Sequence, residues 1–294
     1  MPSRTETLTP ALLREWALPR GADSKYARGT VLVIGGARQT PGAALLAGTA
    51  ALRVGAGRLS MAVAESVAVP LAIAVPESGV TGLAETGDGS VRGDDAGRLA
   101  ENLAGAKAVV VGSGLDDGDE AERLVRTLLG IVGPDTAVLL DAYALGVVPR
   151  LADELAPWHG RLVLTPNKGE ASRLLGRDVR DDGEAFADDL AETAERYGAV
   201  VTCFGTIAAP GGQRWRADSG QGGLGTSGSG DVLAGAIGGL LARGASPEQA
   251  ACWGTHLHAA AGDRLTARVG PTGYLARELV DGLPEVLAEL GQHA

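Results

Sequence analysis

An α/β fold with a central, mostly parallel sheet covered by helices on both faces is what this 294-residue sequence predicts. Three observations carry that expectation. Short aliphatic runs alternate with longer stretches of helical periodicity from residue 29 onward, the βαβ rhythm of parallel strands joined by crossover helices. The aliphatic runs are unbroken, as strands buried on both faces require. The composition is 45% hydrophobic but only 3% aromatic, with 45 glycines, so the core is built from Ala, Val and Leu, and small side chains let helices lie close to a sheet.

The length admits one large domain or two modest ones. No linker, internal repeat or low-complexity tract interrupts residues 29–290. The reading is therefore an N-terminal arm over residues 1–28, with a short helix near 11–16, and a single domain over 29–294. In that domain 30–34 reads as a strand, 42–54 as an Ala- and Leu-rich helix, and 58–64 as the next strand. Residues 81–95, rich in Gly, Asp and Ser, read as a surface excursion with room for short strands. Further strands are expected at 108–111, 137–140, 162–164 and 199–203, each followed by turn residues and a helical segment. Gly244 stops a helix over 232–242, and Ser246 followed by Pro247 reads as the N-cap and first position of the helix that contains 250–261.

Charge and cysteine usage exclude several function classes. A net charge of −10 argues against a surface for phosphate backbones, so no nucleic-acid partner is expected. No run of 18 apolar residues occurs and the N-terminal residues lack the apolar core of a signal peptide. A cytoplasmic protein with no membrane association is expected. Cys203 and Cys252 are too few for a disulfide framework and lack metal-binding spacing, which makes them reduced interior thiols.

Chemistry gathers where the aliphatic runs end, the edge at which open parallel sheets bind ligands. The strongest signal is the glycine-dense run from Gly220 through Gly228 to Ser229-Gly230-Asp231, directly ahead of a helix. Uncovered backbone N–H groups and the positive end of the helix make a phosphate cradle there, and Asp231 is placed to take a proton from a hydroxyl that attacks a phosphoryl group. Asp is a preferred N-cap, so Asp231 alone would read as a cap; the glycine density favours the anion site. Residues 223–228 also spell G-x-G-x-x-G, but the stretch from Arg214 to Gly220 reads as polar where a dinucleotide fold needs a strand, and no P-loop motif occurs. Asp141 and Asn167 fall at the same edge, at the ends of the 137–140 and 162–164 runs, although Asp141 and Glu170 equally suit helix caps. Gly112-Ser113-Gly114 ends a third run, and Ala43 opens the helix after the first. His256 and His258 are spaced to face different ways on a helix, so they read as structural or surface residues and not as chelators. Asp181, Asp182, Asp188 and Asp189 read as a solvated acidic face.

At these motifs the sequence resembles the NAD(P)H-hydrate dehydratases, members of the ribokinase-like superfamily. The resemblance runs collinearly from about Gly29 to about Leu287. It rests on the first strand and its Gly35-Gly36 end, on Pro41-Gly42-Ala43-Ala44, on 112–115, on Leu140-Asp141-Ala142, on Leu164-Thr165-Pro166 with Gly169-Glu170, and on 228–235. It implies a ribokinase-like three-layer α/β/α sandwich with a central mostly parallel sheet. It also implies an enzyme that phosphorylates the hydroxyl of hydrated NADH or NADPH from ADP or ATP, with Mg²⁺ accompanying the nucleotide, after which phosphate leaves to restore the dihydronicotinamide. Ala43, Gly114 and Asn167 would contact the hydrated dinucleotide, joined at the strand edge by Asp141, and Asp231 would face its reacting centre as the catalytic residue. Gly228, Ser229 and Gly230 would meet the adenine nucleotide, and Thr202, Cys203, Phe204, Gly205 and Thr206 would line its phosphate pocket. No metal ligand is assigned. The family tends to form homo-tetramers.

Two departures are legible. The family usually has His and Pro where this chain has Asn167 and Lys168. It usually has Lys-Gly where this chain has Thr202-Cys203, and Lys168 and Arg214 are the two cations that stand to replace the lost charge. A small-molecule kinase of the same superfamily, for a vitamin precursor or sugar, and a nucleotide-binding relative without turnover are the alternative readings.

Overall fold

The computed structural model describes residues 5–19, 24–181, 183–220 and 222–291. Gln221 of the glycine-dense turn, Asp182 of the acidic cluster, and the ends of the arm and domain readings at 1–4, 20–23 and 292–294 lie outside the described residues.

Ten strands form one sheet: β1 (Glu6–Leu8), β2 (Thr30–Ile34), β3 (Arg58–Ala64), β4 (Ser78–Leu83), β5 (Ala108–Val111), β6 (Ala137–Leu140), β7 (Leu162–Leu164), β8 (Ala199–Cys203), β9 (Thr206–Ala208) and β10 (Arg214–Ala217), in the order β1-β10-β9-β8-β7-β6-β5-β2-β3-β4. Only β9 runs against its neighbours among the described residues. The helices are α1 (Pro10–Glu15), α2 (Pro41–Arg53), α3 (Glu65–Ala74), α4 (Ala100–Ala104), α5 (Gly118–Ile131), α6 (Tyr143–Val147), α7 (Lys168–Leu175), α8 (Gly183–Tyr197), α9 (Ser229–Ala242), α10 (Pro247–Val269) and α11 (Ala276–Glu289).

The aliphatic runs end up as central strands because both faces are covered. Along β2, Val31 and Val33 join one core with α2, α9, α10 and α11, while Leu32 and Ile34 join a second core with α5, α6, α7 and α8; every other strand residue changes side in the same way. The three layers expected from the sequence follow. Glycine sets how close one layer comes: a Cβ on Gly235 of α9 would stand 2.0 Å from the Ala47 carbonyl oxygen of α2, so no other residue lets these helices touch.

Several elements depart from the expectation. The stretch from Arg214, read as polar, forms β10: its burial alternates, with Trp215 and Ala217 inward and the two arginines outward. The dinucleotide fold remains excluded, because α9 leads into α10 and no parallel strand follows it. β1, inside the segment read as an arm, pairs in parallel with β10, and Leu8, Leu13 and Leu18 join the first core. Trp16 lies 5.9 Å from Trp215 between ring centroids, and its carbonyl accepts hydrogen bonds from Trp253 Nε1 (2.9 Å) and Gln249 Nε2 (3.1 Å). The excursion at 81–95 overlaps edge strand β4 and an isolated bridge between Glu85 and Val91. The acidic face is only partly solvated. Asp189 is fully buried beneath Arg180 and Arg177; burial pushes its carboxyl up, but the Arg180 side chain and N–H and the Arg177 guanidinium outweigh that and hold it at about 2. His256 and His258 are both buried, so the structural reading of the pair stands and the surface one falls. Both cysteines are free and buried.

Candidate active site

The sheet changes winding direction between β2 and β5, which are neighbours although β3 and β4 intervene in the chain. At such a point the loops leaving the two strands diverge and open a crevice. The β2–α2 loop and the β5–α5 loop are laced together there: Gly36 and Ala37 N–H groups donate to the Ser113 and Gly114 carbonyls (2.9 and 2.8 Å), and Thr40 Oγ1 donates to the Gly114 carbonyl (2.7 Å). Gly114 has φ +76°, and a Cβ on it would lie 2.4 Å from the Thr40 carbonyl oxygen and 3.0 Å from the Ala43 methyl. Ala43 and Gly114 therefore form one surface of small groups, against which a flat ligand can lie.

The glycine-dense turn meets this crevice through α9. Gly228, at the N-cap, has φ +88°, and a Cβ on it would collide with Leu46 Cδ1 at 2.6 Å, so only glycine brings the turn down onto α2. The Ser229 N–H donates to the Thr226 carbonyl (3.1 Å), and the Val232 N–H donates to that of Gly228 (3.2 Å). Among the described residues the N–H groups of Gly230 and Asp231 have no partner, which leaves two donors at the positive end of a 14-residue helix. Ser229 Oγ turns inward to His258 Nε2 at 2.9 Å, and burial holds that imidazole at about 4, so it is neutral.

Three acids lie within electrostatic reach of one another here, since the charges of Asp231 and Glu170 both act on Asp141. Asp231 makes no capping hydrogen bond to its own helix. Its carboxyl is raised by burial, and the nearby Ser113 hydroxyl acts against that rise; Ser113 Oγ is itself buried with no partner at hydrogen-bonding distance. Asp141, at the end of β6, is raised to about 8, first by burial and then, despite a hydrogen bond from Thr165 Oγ1 (2.8 Å), by the charges of Asp231 and Glu170. Its neighbour Ala142 takes φ +48°, a strained conformation that suits a site more than a plain strand end. Glu170 instead completes a capping box: its carboxylate accepts from the Asn167 N–H (2.8 Å) and Asn167 Oδ1 accepts from the Glu170 N–H (2.9 Å). Asn167 is exposed at this edge with its amide NH₂ left to donate.

The 202–206 segment, expected from the resemblance to line the donor pocket, follows β8, two strands from β6. Thr202 points into the core, its Oγ1 2.9 Å from that of Thr255, and Cys203 and Thr206 are also buried. Phe204 is the opposite: 78% exposed, with φ +49°, next to Gly205 at φ +75°. Of the two cations that stand to replace the missing charge, Arg214 is paired with Asp188, whereas Lys168 Nζ lies 5.4 Å from the centre of the Phe204 ring. Thr165, Thr40 and His258 are the supporting residues that sequence reasoning missed; a hydroxyl beside a strand end carries no sign of which side chain it will face.

No group of three His, Cys, Asp or Glu side chains positioned to cage a metal occurs among the described residues. Mg²⁺ carried in on nucleotide phosphates needs no such cage, since this ion keeps several waters and takes only one or two carboxylates.

An open α/β sheet with unpartnered N–H groups at a helix start beside neighbouring carboxylates is the arrangement of a ribokinase-like fold. A ribokinase-like superfamily protein from Enterococcus faecalis shares that fold, with a TM-score of 0.79 over 97% of this chain and 96% of that one at 22% identity. The ADP/ATP-dependent NAD(P)H-hydrate dehydratase of Bacillus subtilis, co-crystallised with ATP and Mg²⁺, gives a TM-score of 0.78 at 28% identity over 97% and 99% of the two chains. The ADP-dependent (S)-NAD(P)H-hydrate dehydratase of Xanthomonas campestris is 42% identical over 294 residues, covering 98% of each chain. The chain spans about half the length of the bifunctional NAD(P)H-hydrate repair enzymes it also matches. The NAD(P)H-hydrate dehydratase family model matches residues 31–285, and the chain belongs to that family.

Proposed function

We propose that this chain is an ADP- or ATP-dependent lyase that dehydrates hydrated NADH and NADPH. The substrate hydroxyl oxygen attacks the terminal phosphorus of the nucleotide, its proton passes to Asp231, and the bond to the departing AMP or ADP breaks. Phosphate then leaves with the C–O electron pair and the adjacent carbon loses a proton, which restores the dihydronicotinamide. The observation that carries this reading is the meeting of Asp231, the free N–H groups of Gly230 and Asp231, and Asp141 at one crevice. Asp141, pushed up to about 8, is the neutral member of the pair at neutral pH, and Asp231 is the group that must act as base. The amides neutralise charge on the transferring phosphoryl group. Mg²⁺, when bound with the nucleotide, would screen the phosphate oxygens.

In this reading Ala43, Gly114 and the Asn167 amide bind the hydrated dinucleotide, Asp141 lies beside its reacting ring, and Gly228, Ser229 and Gly230 hold the donor phosphate while 202–206 form the donor pocket. Family membership favours a cytoplasmic homo-oligomer, a tetramer, with residues 29–294 as one domain; no helix among the described residues is long and apolar enough to cross a membrane. The test is the rise in reduced-nicotinamide absorbance when the protein meets hydrated NADH, ADP or ATP, and Mg²⁺. Asp231→Asn should lower kcat by at least ~10²-fold with a melting temperature no lower than that of the wild type. A stable phosphorylated product and no absorbance rise would point to the kinase alternative.

A further inference from the structure

The segment assigned to the donor pocket has no cation of its own, since 202–206 reads Thr-Cys-Phe-Gly-Thr. It has instead an oddity at its tip. Phe204 exposes 78% of its surface and adopts a left-handed backbone conformation, which is strained for a bulky residue. A strained, exposed aromatic is expected where a ligand or a neighbouring group needs its face.

Lys168, the first residue of α7, occupies that face. Its Nζ lies 5.4 Å from the Phe204 ring centre and 5.7 Å from that of Phe186, a geometry in which two ring faces hold one ammonium. The group is otherwise weakly committed. It donates to the Asp181 carbonyl at 3.1 Å and stands 3.6 Å from the Asp181 carboxylate, a solvated partner that water screens. Its charge reaches the donor segment: burial pushes the Cys203 thiol up to about 12, and Lys168 pulls against that. A groove of about 150 Å³ opens between Lys168, Phe204 and Arg216, with room for a phosphate group. Arg216, which donates to the Gly183 carbonyl at 2.7 Å, is the second cation at this groove, and Lys168 is the one that stands over the Phe204 ring.

We infer that Lys168, perched on Phe204, is the residue that binds the phosphates of the adenine nucleotide at the β8–β9 turn. The inference rests on the reading that this chain uses ADP or ATP. Phe204 is a positioning residue here: it holds the ammonium over the turn, and its backbone strain is the cost of that placement.

The test is calorimetric binding of ADP and of adenosine to the full chain, with a thermal melt for each variant. Lys168→Met should weaken ADP binding by about 10-fold or more while leaving adenosine binding and the melt unchanged, and Lys168→Arg should recover most of the loss. Phe204→Gly should melt higher than wild type, since glycine accepts the positive φ, yet bind ADP more weakly. If the wild type turns over hydrated NADH and Lys168→Met binds ADP just as tightly, the inference is wrong and the proposed function is untouched. If the wild type binds neither ADP nor ATP, both fall together.

Discussion

Asp141 and Asp231 are the same chemical group in two settings, and the settings assign their work. Asp141 is shut between strand ends with one hydroxyl for company and is pushed up to about 8; Asp231 is raised by burial with the nearby Ser113 hydroxyl acting against the rise, and in the proposed reading it is the base. The sign of the stability effect follows. A carboxyl whose folded pKa is raised contributes fully below its unfolded value near 3.8, and that contribution is lost as pH rises toward 8, since the unfolded chain gives up its proton first. Asp141→Asn removes the penalty, so it should melt at the wild-type temperature at pH 4 and higher than wild type, by about 5 °C or more, at pH 8.5. Activity should behave differently. Ionised Asp141 would set a second negative charge beside Asp231 and the incoming phosphoryl group, so wild-type kcat/KM should fall above about pH 8 and the Asn variant should lack that alkaline limb. A pH profile of both proteins, run beside the melts, checks the two statements.

At the level of elements, the sequence announces what is buried on two faces and hides what is buried on one. The unbroken runs of β2, β5, β6 and β7 end where their aliphatic letters end, because each residue has a core to enter, and β8 goes on past Val201 through buried Thr202 and Cys203. β10 is different. Its Arg-Trp-Arg-Ala alternates, and a glance for apolar runs passes over a strand with only two inward residues. β1 has even less signal, a single buried leucine, and is a strand because β10 offers it an edge. The site shows the same division. Asp231, Asp141, Gly114 and Ala43 were legible because each closes a motif at a strand end or helix start. The Thr165 bond, the neutral imidazole behind Ser229 and the strained Phe204 were not, since each depends on a neighbour distant in the chain. The buried Asp189 misled for a related reason: an acid in a run of acids looks solvated until its arginines are located. Helix contact also has a letter in the sequence, Gly235. Gly235→Val should drive α9 from α2 and cost about 3 kcal/mol or more, read as a lowered denaturation midpoint with the anion turn displaced and nucleotide binding lost.

For the molecule as a whole, local pattern and global arrangement carry different information. Alternating strands and helices fix a three-layer α/β/α body, but nothing in the pattern states that β2 lies beside β5 or that β9 reverses. Those two facts place the chemistry. The first opens the crevice in which the small-residue wall, the anion turn and the acid pair converge; the second builds the β8–β9 turn that offers Phe204 to Lys168. The assembled picture makes phosphorylation of the ring hydroxyl an obligatory step, and the fate of that oxygen is therefore its most direct test. Hydrated NADH carrying a heavy oxygen isotope in its hydroxyl should, in a single turnover with ADP or ATP, deliver the label into inorganic phosphate in step with formation of reduced nicotinamide. Label recovered in water, with phosphate unlabelled, would mean that the hydroxyl leaves without ever meeting phosphorus, and would contradict the account.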